Sequence, residues 1–220
     1  SLFTEQVLGV KQAGGKKFPL IVKIIKADEN LSVQVHPDDA YARTLGDACG
    51  KEEAWHVLQA AAGAKIHLGF ADAMNAARFK ERVNRDEFLS CLHAFDAAVG
   101  DTYHIPAGVI HALGAGTKVY EVSTASERTF RIYDYGRGRE LHLDDAVAVL
   151  QFEERRAAAL KQEHTLLRTE HGFAEYMLVR GAQFDVRLFS GHGAITVFTA
   201  GRVCVLTCVR GDVTVKTSRR

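Results

Sequence analysis

The sequence lacks several features that would assign it to a class of protein at once. Lys and Arg number 28 against 27 Asp and Glu, so the formal net charge is +1 and no broad field draws the chain to nucleic acid or to an anionic membrane. No apolar run approaches the roughly 18 residues of a membrane-spanning helix, and no signal segment opens the chain. We therefore expect a cytoplasmic protein with no nucleic-acid partner and no membrane partner.

Cysteine is scarce as well. The four cysteines form no C-x-x-C pair, so the sequence indicates neither a disulfide framework nor a thiolate metal site. The chain carries 10 histidines instead, a large supply of metal ligands and proton carriers. With 47% hydrophobic and 25% charged residues, its composition is that of a globular protein rather than a disordered chain or a coiled coil.

Short runs of β-branched and aromatic residues, separated by glycine and polar turns, predict a mainly β protein. Between the runs, residues 71–95 are rich in Ala, Arg, Lys and Glu without Pro or Gly, and they predict a small helical insert. Within the insert, Asn84 followed by Glu87 predicts the start of a second helix. A further short helix is predicted at 143–150.

The same runs predict the domain organisation. Residues 1–150 form a first β unit with the insert, 151–172 are polar with mixed charges and predict a connector, and 173–220 form a second β unit. The chain starts at Ser1 rather than Met, and the second unit has no return strand to cover its edge. We expect a piece of a longer protein with an incomplete second barrel. The last three predicted strands are 194–199, 203–209 and 213–216.

The segment from Gly100 to His111 has the spacing of a metal-binding hairpin. Pro106 and Gly108 make a tight turn, and alternation on the next strand can direct His111 into a barrel. The spacing G-x5-P-x-G-x2-H resembles the second motif of the cupin superfamily, whose histidine binds a metal. An inward histidine in a hairpin can also be a structural residue, so this segment alone does not decide the matter.

A partner set for His111 lies upstream. Gln34 and His36 are two apart on a predicted strand, so their side chains face the same way, and Glu53 opens the following strand. The four residues would form a nitrogen and oxygen shell with one anionic ligand. Such a shell suits one Zn²⁺ per chain and leaves a coordination position open, although Mn, Fe, Co and Ni accept the same ligands.

Four motifs occur in the order and approximate spacing of one family, the type I mannose-6-phosphate isomerases, and the chain resembles the short bacterial form of that family. The resemblance is dense from about Phe18 to Leu143. The motifs are L-S-V-Q-V-H-P-D at 31–38, K-E-E with a following Trp at 51–55, P-A-G-V-I-H at 106–111, and Y-E followed by R-I-Y-D-Y at 120–135.

The resemblance implies a fold and an activity. It implies two cupin-type jelly-roll barrels, the first carrying the metal and the second truncated in this chain. It also implies an enzyme that interconverts mannose 6-phosphate and fructose 6-phosphate. In the family the counterparts of the four candidate ligands bind zinc, and the counterpart of Arg131 is the catalytic arginine. Lys23 and Ser32 match positions in the phosphate pocket of the family.

The chemistry asks for such groups independently of the resemblance. A proton moves between C1 and C2 of the sugar through a cis-enediol, so the site needs a general base, a stabilised enediol and a grip on the phosphate. Lys51 is the first candidate base, because it lies two residues from Glu53 and close to a dication that would lower its pKa. A metal-bound water and Glu127, where the family more often has Asp, are the alternatives. Glu52 is expected to face the opposite side, towards solvent.

Two other functions compete with the isomerase. The first is a metal cupin of another reaction class, such as an iron oxygenase, although such sites carry more histidines and no phosphate-binding set like Lys23, Ser32 and Arg131. The second is a cupin that binds a hexose phosphate without turning it over. Exchange of the C2 proton of the sugar separates the isomerase from the binding protein.

Overall fold

The fold is described from a computed structural model, which covers residues 18–83, 85, 88–153, 157–199 and 201–216. The chain divides into two compact units, and one of them runs from Pro19 to Ile195. The strands of this unit are β1 Leu20–Ala27, β2 Val33–Val35, β3 Glu53–Ala60, β4 Lys65–Phe70, β5 Leu92–Asp96, β6 Thr102–Ile105, β7 His111–Leu113, β8 Thr117–Thr124, β9 Phe130–Tyr133, β10 Lys161–Gln162, β11 Thr165–Glu170, β12 Phe173–Arg180 and β13 Asp185–Gly191. Its helices are α1 Asp39–Thr44, α2 Ala76–Arg82, α3 Leu143–Val149 and α4 Ala157–Leu160, with a 3-10 turn at Phe88–Cys91.

Two five-stranded antiparallel sheets form the body of this unit. Sheet A has the order β1-β8-β3-β6-β10, and sheet B has the order β5-β4-β7-β2-β9. Apart from β4 and β5, neighbours in each sheet are not consecutive in the chain, as a jelly roll requires, and the mainly β structure predicted for the first unit is confirmed. Two facing sheets provide the cavity between layers in which inward side chains can meet.

The apolar core between the sheets draws on both layers. Trp55, Val57 and Tyr103 of sheet A pack in one cluster with Ile66 and Leu68 of sheet B. Val57 from sheet A and Leu68 from sheet B are both fully buried in this contact. Burial of each such side chain contributes about 1.5–3 kcal/mol, so the packing of the two layers holds the polar residues between them in place.

The helical insert is shorter than predicted. Only α2 and the 3-10 turn are helical among its described residues, and the predicted helix start at Asn84 and Glu87 lies outside them. The prediction of helix up to residue 95 is wrong, because Leu92–Asp96 is strand β5 on the edge of sheet B. From His93 to Asp96 exposure alternates with a period of two, and Phe95 packs against the core, which is the pattern of a strand.

The predicted connector is also partly wrong. Within 151–172, Leu160 is fully buried in the core, β10 pairs with β6, and β11 pairs with β12. Two of its described cations are ion-paired, since Arg168 Nε lies 2.5 Å from Glu175 Oε2 on β12 and Lys161 Nζ lies 2.7 Å from Asp101 Oδ2. Pairing across a sheet, which a linear sequence does not display, gives this polar segment its regular structure.

A third sheet, sheet C, has the order β11-β12-β13. Val179 of β12 and Phe184 of the turn between β12 and β13 pack against Ala54 and Val122 on the outer face of sheet A. Strands β12 and β13 lie within the predicted second β unit, whereas β11 lies within the predicted connector. Sheet C is an open three-stranded sheet, and the domain boundaries at 150 and 172 stay predictions.

The second compact unit includes the described residues 196–199 and 201–216. These residues contain no helix or strand, so the strands predicted at 203–209 and 213–216 are wrong, and residues 194–199 are likewise irregular. Large apolar side chains here, such as Leu206 and Val213, are exposed. An apolar alternation becomes a strand only where a neighbouring strand takes up its N–H and C=O groups, and the described residues supply none here.

None of the described helices is long enough and apolar enough to cross a bilayer.

Candidate metal centre between the two sheets

Three side chains of sheet B share one inward face. Gln34 on β2 lies directly opposite His111 on β7 and, on its other side, opposite Arg131 on β9. Residues directly opposite in an antiparallel ladder point to the same face, so the register brings these three together. Glu53 opens β3 in sheet A and faces them across the cavity.

Three of the four candidate ligands form one buried cluster. His36 Nε2 lies 3.4 Å from Glu53 Oε1, and His111 Nε2 lies 3.7 Å from Glu53 Oε2. One ligand atom from each residue can be chosen so that all three atoms lie within 4.8 Å of one another. Each of the three residues is 2% exposed. An ion placed among these atoms would be shielded from bulk water.

The two imidazoles direct their Nε2 atoms at the cluster. The Nδ1–H of His36 donates to the Arg128 carbonyl at 2.9 Å, and the Nδ1–H of His111 donates to the Val109 carbonyl at 2.9 Å. The Nε2 atom of each ring then faces Glu53. Metal-binding histidines usually donate their second N–H in this way, because the bond fixes the tautomer and the ring orientation.

The Nε2 atom of His36 is buried and has no hydrogen-bond partner among the described residues. A buried polar atom without a partner is costly, and a divalent ion would satisfy it. Two imidazole nitrogens and one carboxylate are also the donors that zinc and similar ions prefer. The residues present therefore fit a metal ion.

The charges of the cluster suit metal binding. Burial, aided by the neighbouring His36, lowers the pKa of His111 to about 4, although Glu53 opposes the shift. Burial raises the pKa of Glu53, but His36, Lys51 and His111 lower it by more, so that it lies well below its ordinary value. At neutral pH the Glu53 carboxylate is ionised and His111 is neutral, which are the forms that bind a metal.

Gln34 and Ser32 contact each other. Gln34 Nε2 donates to Ser32 Oγ at 3.2 Å, which leaves the amide oxygen of Gln34 available on the face shared with His111. Ser32 is 3% exposed, so its hydroxyl lies inside the protein rather than at an open surface. The observed contact of Ser32 is with a candidate ligand.

Lys51 lies where the sequence places it, beside Glu53. Its Nζ is 2.7 Å from Glu53 Oε1, and its side chain is 7% exposed. A buried ammonium requires a partner, and Glu53 is that partner here. Glu52 faces the other way, as expected, but its predicted exposure to solvent is wrong. It is 7% exposed, it contacts His104 Nε2 at 2.7 Å, and it accepts backbone N–H groups of the turn between β12 and β13.

Lys23 is half exposed and pairs with Glu121, whose Oε1 lies 3.2 Å from Lys23 Nζ. Trp55 Nε1 donates to the other carboxylate oxygen of Glu121 at 3.0 Å, and the Trp55 ring meets His111 edge-on with 5.4 Å between ring centroids. Sequence reasoning missed this structural role of Glu121. The Y-E motif at 120–121 was its only signal.

Arg131 is half-buried at the end of the row formed with Gln34 and His111. Its Nη1 donates to the Glu140 carbonyl at 2.8 Å, and its Nε is buried without a partner among the described residues. The guanidinium group is thus held through Nη1, and its Nε–H remains available as a donor. Glu127 is exposed, and the described residues show no contact between its carboxylate and the metal cluster.

Sequence and structure comparisons agree with this geometry. The family model described as "Phosphomannose isomerase type I, catalytic domain" matches residues 2–56. Mannose-6-phosphate isomerase ManA of Bacillus subtilis is 30% identical over 211 residues, which cover 91% of this chain and 64% of ManA. The crystal structure of the mannose 6-phosphate isomerase from Bacillus subtilis superposes with a TM-score of 0.74 at 28% identity, covering 81% of this chain and 58% of that one. The chain is related to the type I mannose-6-phosphate isomerases.

A second relative supports the same assignment. Mannose-6-phosphate isomerase of Streptococcus mutans is 36% identical over 139 residues, which cover 60% of this chain and 44% of the relative. The chain thus spans between 44% and 64% of the length of these two relatives. The structural match to the isomerase confirms the predicted mainly β, cupin-type fold, although sheets A and B face each other without closing into a barrel.

Proposed function

We propose that the protein is a zinc-dependent aldose-ketose isomerase that interconverts mannose 6-phosphate and fructose 6-phosphate through a cis-enediol. The observation that carries the proposal is the buried cluster of His36, Glu53 and His111, with the Lys51 ammonium 2.7 Å from its carboxylate. A metal site with an adjacent amine can both stabilise an enediol and move its proton. The relationship to mannose-6-phosphate isomerases supports the choice of substrate.

The metal shell consists of Gln34, His36, Glu53 and His111, with the Gln34 amide oxygen as the fourth ligand. When bound, a zinc ion supplies a fixed dipositive charge that polarises the sugar carbonyl and hydroxyl oxygens. The Nδ1–H bonds of the two histidines hold both rings in the ligating orientation. Zinc is favoured over the other ions because one carboxylate with neutral ligands suits its charge and its low coordination number.

Lys51 acts as the general base between C1 and C2 of the sugar. This role requires the neutral amine, which the charge of a bound ion would favour over the ammonium paired with Glu53. The amine removes the C2 proton from the aldose while O1 gains a proton, and it returns the proton to C1 while O2 loses one, or the reverse in the other direction. The contact with Glu53 holds Nζ within the cluster, and burial of the side chain keeps water away from the transferred proton. Glu127 is the second candidate, but its exposure disfavours it.

Arg131, Lys23 and Ser32 complete the site. The unpartnered Nε of Arg131 is a permanent cationic donor on the face that carries His111, so it stabilises the negative charge of the enediol. The half-exposed Lys23 ammonium attracts the phosphate of the substrate. Ser32 supports the phosphate end from beside Gln34, where its hydroxyl already accepts a hydrogen bond.

Proton NMR in D₂O tests the proposal. The purified chain is incubated with mannose 6-phosphate and Zn²⁺, and fructose 6-phosphate should form while the C2 position of the aldose gains deuterium. Saturable binding without conversion or exchange would instead identify a non-catalytic hexose-phosphate-binding protein. Consumption of dissolved oxygen with a sugar substrate would identify a metal cupin of another class. His111→Ala is the control, because it should lose both the metal and the exchange.

A further inference from the structure

We propose that the ion pair between Asp47 and Arg128 is a positioning device that holds the His36 imidazole in its metal-binding orientation. The proposal goes beyond the isomerase function, since it concerns the affinity of the site for a divalent ion. It is read by metal binding and by the state of the imidazole, not by turnover. A failure of the isomerase proposal would therefore leave this one standing, and the reverse also holds.

The ion pair is a two-point contact. Arg128 Nε lies 2.6 Å from Asp47 Oδ2, and Arg128 Nη2 lies 3.1 Å from Asp47 Oδ1. Such a fork fixes the direction of the guanidinium as well as its position. The two side chains are 39% and 30% exposed, so their direct contribution to stability is small. Their effect must lie in what they position.

The backbone of Arg128 contacts one of the candidate metal ligands, His36. Its carbonyl accepts the Nδ1–H of His36 at 2.9 Å, and that bond directs the free Nε2 of His36 towards Glu53. Arg128 lies in 125–129, the irregular link between β8 and β9. In that link, the Arg128 N–H donates to Ser126 Oγ at 3.3 Å, a long bond within the link itself. The link is tied to the rest of the fold at its start, where the Ala125 N–H donates to the Pro19 carbonyl at 3.0 Å, and the contact with Asp47 holds it at Arg128 itself.

Asp47 holds Arg128 from a position three residues beyond the end of helix α1. Its backbone N–H donates to the Ala42 carbonyl at 3.0 Å, which ties it to the end of helix α1, and Ala42 is fully buried. The first turn of α1 is capped by Asp38, whose carboxylate accepts the Tyr41 N–H at 2.8 Å. Arg43 of the same helix pairs with Asp39 at 3.3 Å, so the cation that contacts Asp47 among the described residues is Arg128.

Three variants and one control test the proposal. Asp47→Ala removes the anchor, Asp47→Asn keeps an acceptor oxygen without the charge, and the double variant D47R/R128D restores the pair with its charges exchanged. The backbone carbonyl at position 128 survives in all of them. Asp96→Ala is the matched control, since it breaks an exposed pair with Lys65 at 2.5 Å on the edge of sheet B.

The first readout is the dissociation constant for Zn²⁺, measured by competition with a chromophoric chelator. Removal of groups that orient a ligating histidine weakens metal binding 10- to 100-fold, and this anchor is one bond further away, so we expect about tenfold for Asp47→Ala. Asp47→Asn should fall between Asp47→Ala and the unaltered protein, and the charge exchange should recover most of the loss. Asp96→Ala should bind Zn²⁺ as the unaltered protein does.

The second readout is the tautomer of His36 in the metal-free protein, seen in histidine ¹⁵N NMR. The unaltered protein should show a single Nδ1–H form, and Asp47→Ala should show averaging between tautomers. Unchanged zinc affinity and an unchanged tautomer in Asp47→Ala would overturn the proposal. A loss that the charge exchange fails to recover in a folded protein would overturn it as well.

Discussion

At the scale of single residues, the Glu53 carboxylate is the group that Lys51, His36 and His111 all face. One oxygen meets Lys51 at 2.7 Å and His36 at 3.4 Å, and the other faces His111 at 3.7 Å. A bound ion would take over the interaction with this carboxylate, and the Lys51 amine would then face the same ion. Removal of either partner from such a buried set leaves an uncompensated charge.

Lys51→Met tests the general base. The variant keeps the length and apolar body of the side chain, so the metal should remain bound while kcat falls by a factor of about 10² to 10⁴, the usual range for loss of a general base. Steady-state kinetics with mannose 6-phosphate and metal analysis of the same sample measure both. Lys65→Met, at an exposed pair with Asp96, is the control. Near-normal turnover of Lys51→Met would transfer the role to another group, with Glu127 as the first to test.

Much of this residue-level arrangement was predictable, for a physical reason. The side chains of a strand alternate, so the two-residue interval between Gln34 and His36 already fixes a shared direction. The contacts that orient the histidines were not predictable, because the carbonyls of Arg128 and Val109 belong to the backbone and leave no signature in residue type. The burial of Glu52 depends on a turn some 130 positions away in the chain.

At the scale of elements, the turn after β9 determines how Arg131 is held. Asp134, which is 3% exposed, pairs with both Arg137 and Arg139. The residue after Arg139 is Glu140, whose carbonyl accepts Arg131 Nη1 at 2.8 Å. Tyr135 takes a positive φ of 53° in this turn, a conformation that needs support from its surroundings. The buried carboxylate provides that support.

Asp134→Asn tests the turn through its pH dependence. Hydrogen bonding from Arg139, aided by Arg137, lowers the pKa of Asp134 to about 2, below its value near 3.8 in the unfolded chain. Its contribution is therefore complete above about pH 4 and is lost as the pH falls towards 2. We expect the variant to lose about 1–2 kcal/mol at pH 7, allowing for solvent screening of the arginines. Urea unfolding measures this loss.

Urea unfolding at several pH values, with a second variant as control, checks this prediction. The difference between Asp134→Asn and the unaltered protein should shrink steadily below pH 4, whereas Asp185→Asn, at the exposed start of β13, should show little difference at any pH. A gap of constant size between pH 7 and pH 3 would contradict the assigned ion pairs.

In two segments the sequence pattern predicts the wrong secondary structure. Residues 92–96 have helix-forming neighbours but form β5, because the edge of β4 offers them a ladder of hydrogen bonds. Residues 203–209 have a strand pattern but stay irregular within the described range. In both segments the partner strand, or its absence from the described residues, overrides local preference.

At the scale of the whole molecule, the two large sheets place the site and sheet C braces it from outside. Val179 and Phe184 cover the outer face of β3 and β8, the strands that present Glu53 and Glu121 to the cavity. Glu52 ties the turn of sheet C to the same strand through two backbone N–H groups. The candidate metal centre thus lies between packed layers, with Glu53 and His111 on strands and His36 just after β2, oriented by the link that contains Arg128.

The central claim is that a bound zinc ion and the isomerase activity depend on each other. The most direct measurement removes the metal from the purified chain with a chelator, returns Zn²⁺ in steps, and follows conversion of mannose 6-phosphate to fructose 6-phosphate in a coupled assay. The account predicts no turnover after removal and a linear return of activity that ends at one zinc per chain. Full activity in the metal-free protein, or one bound zinc with no activity at all, would contradict it.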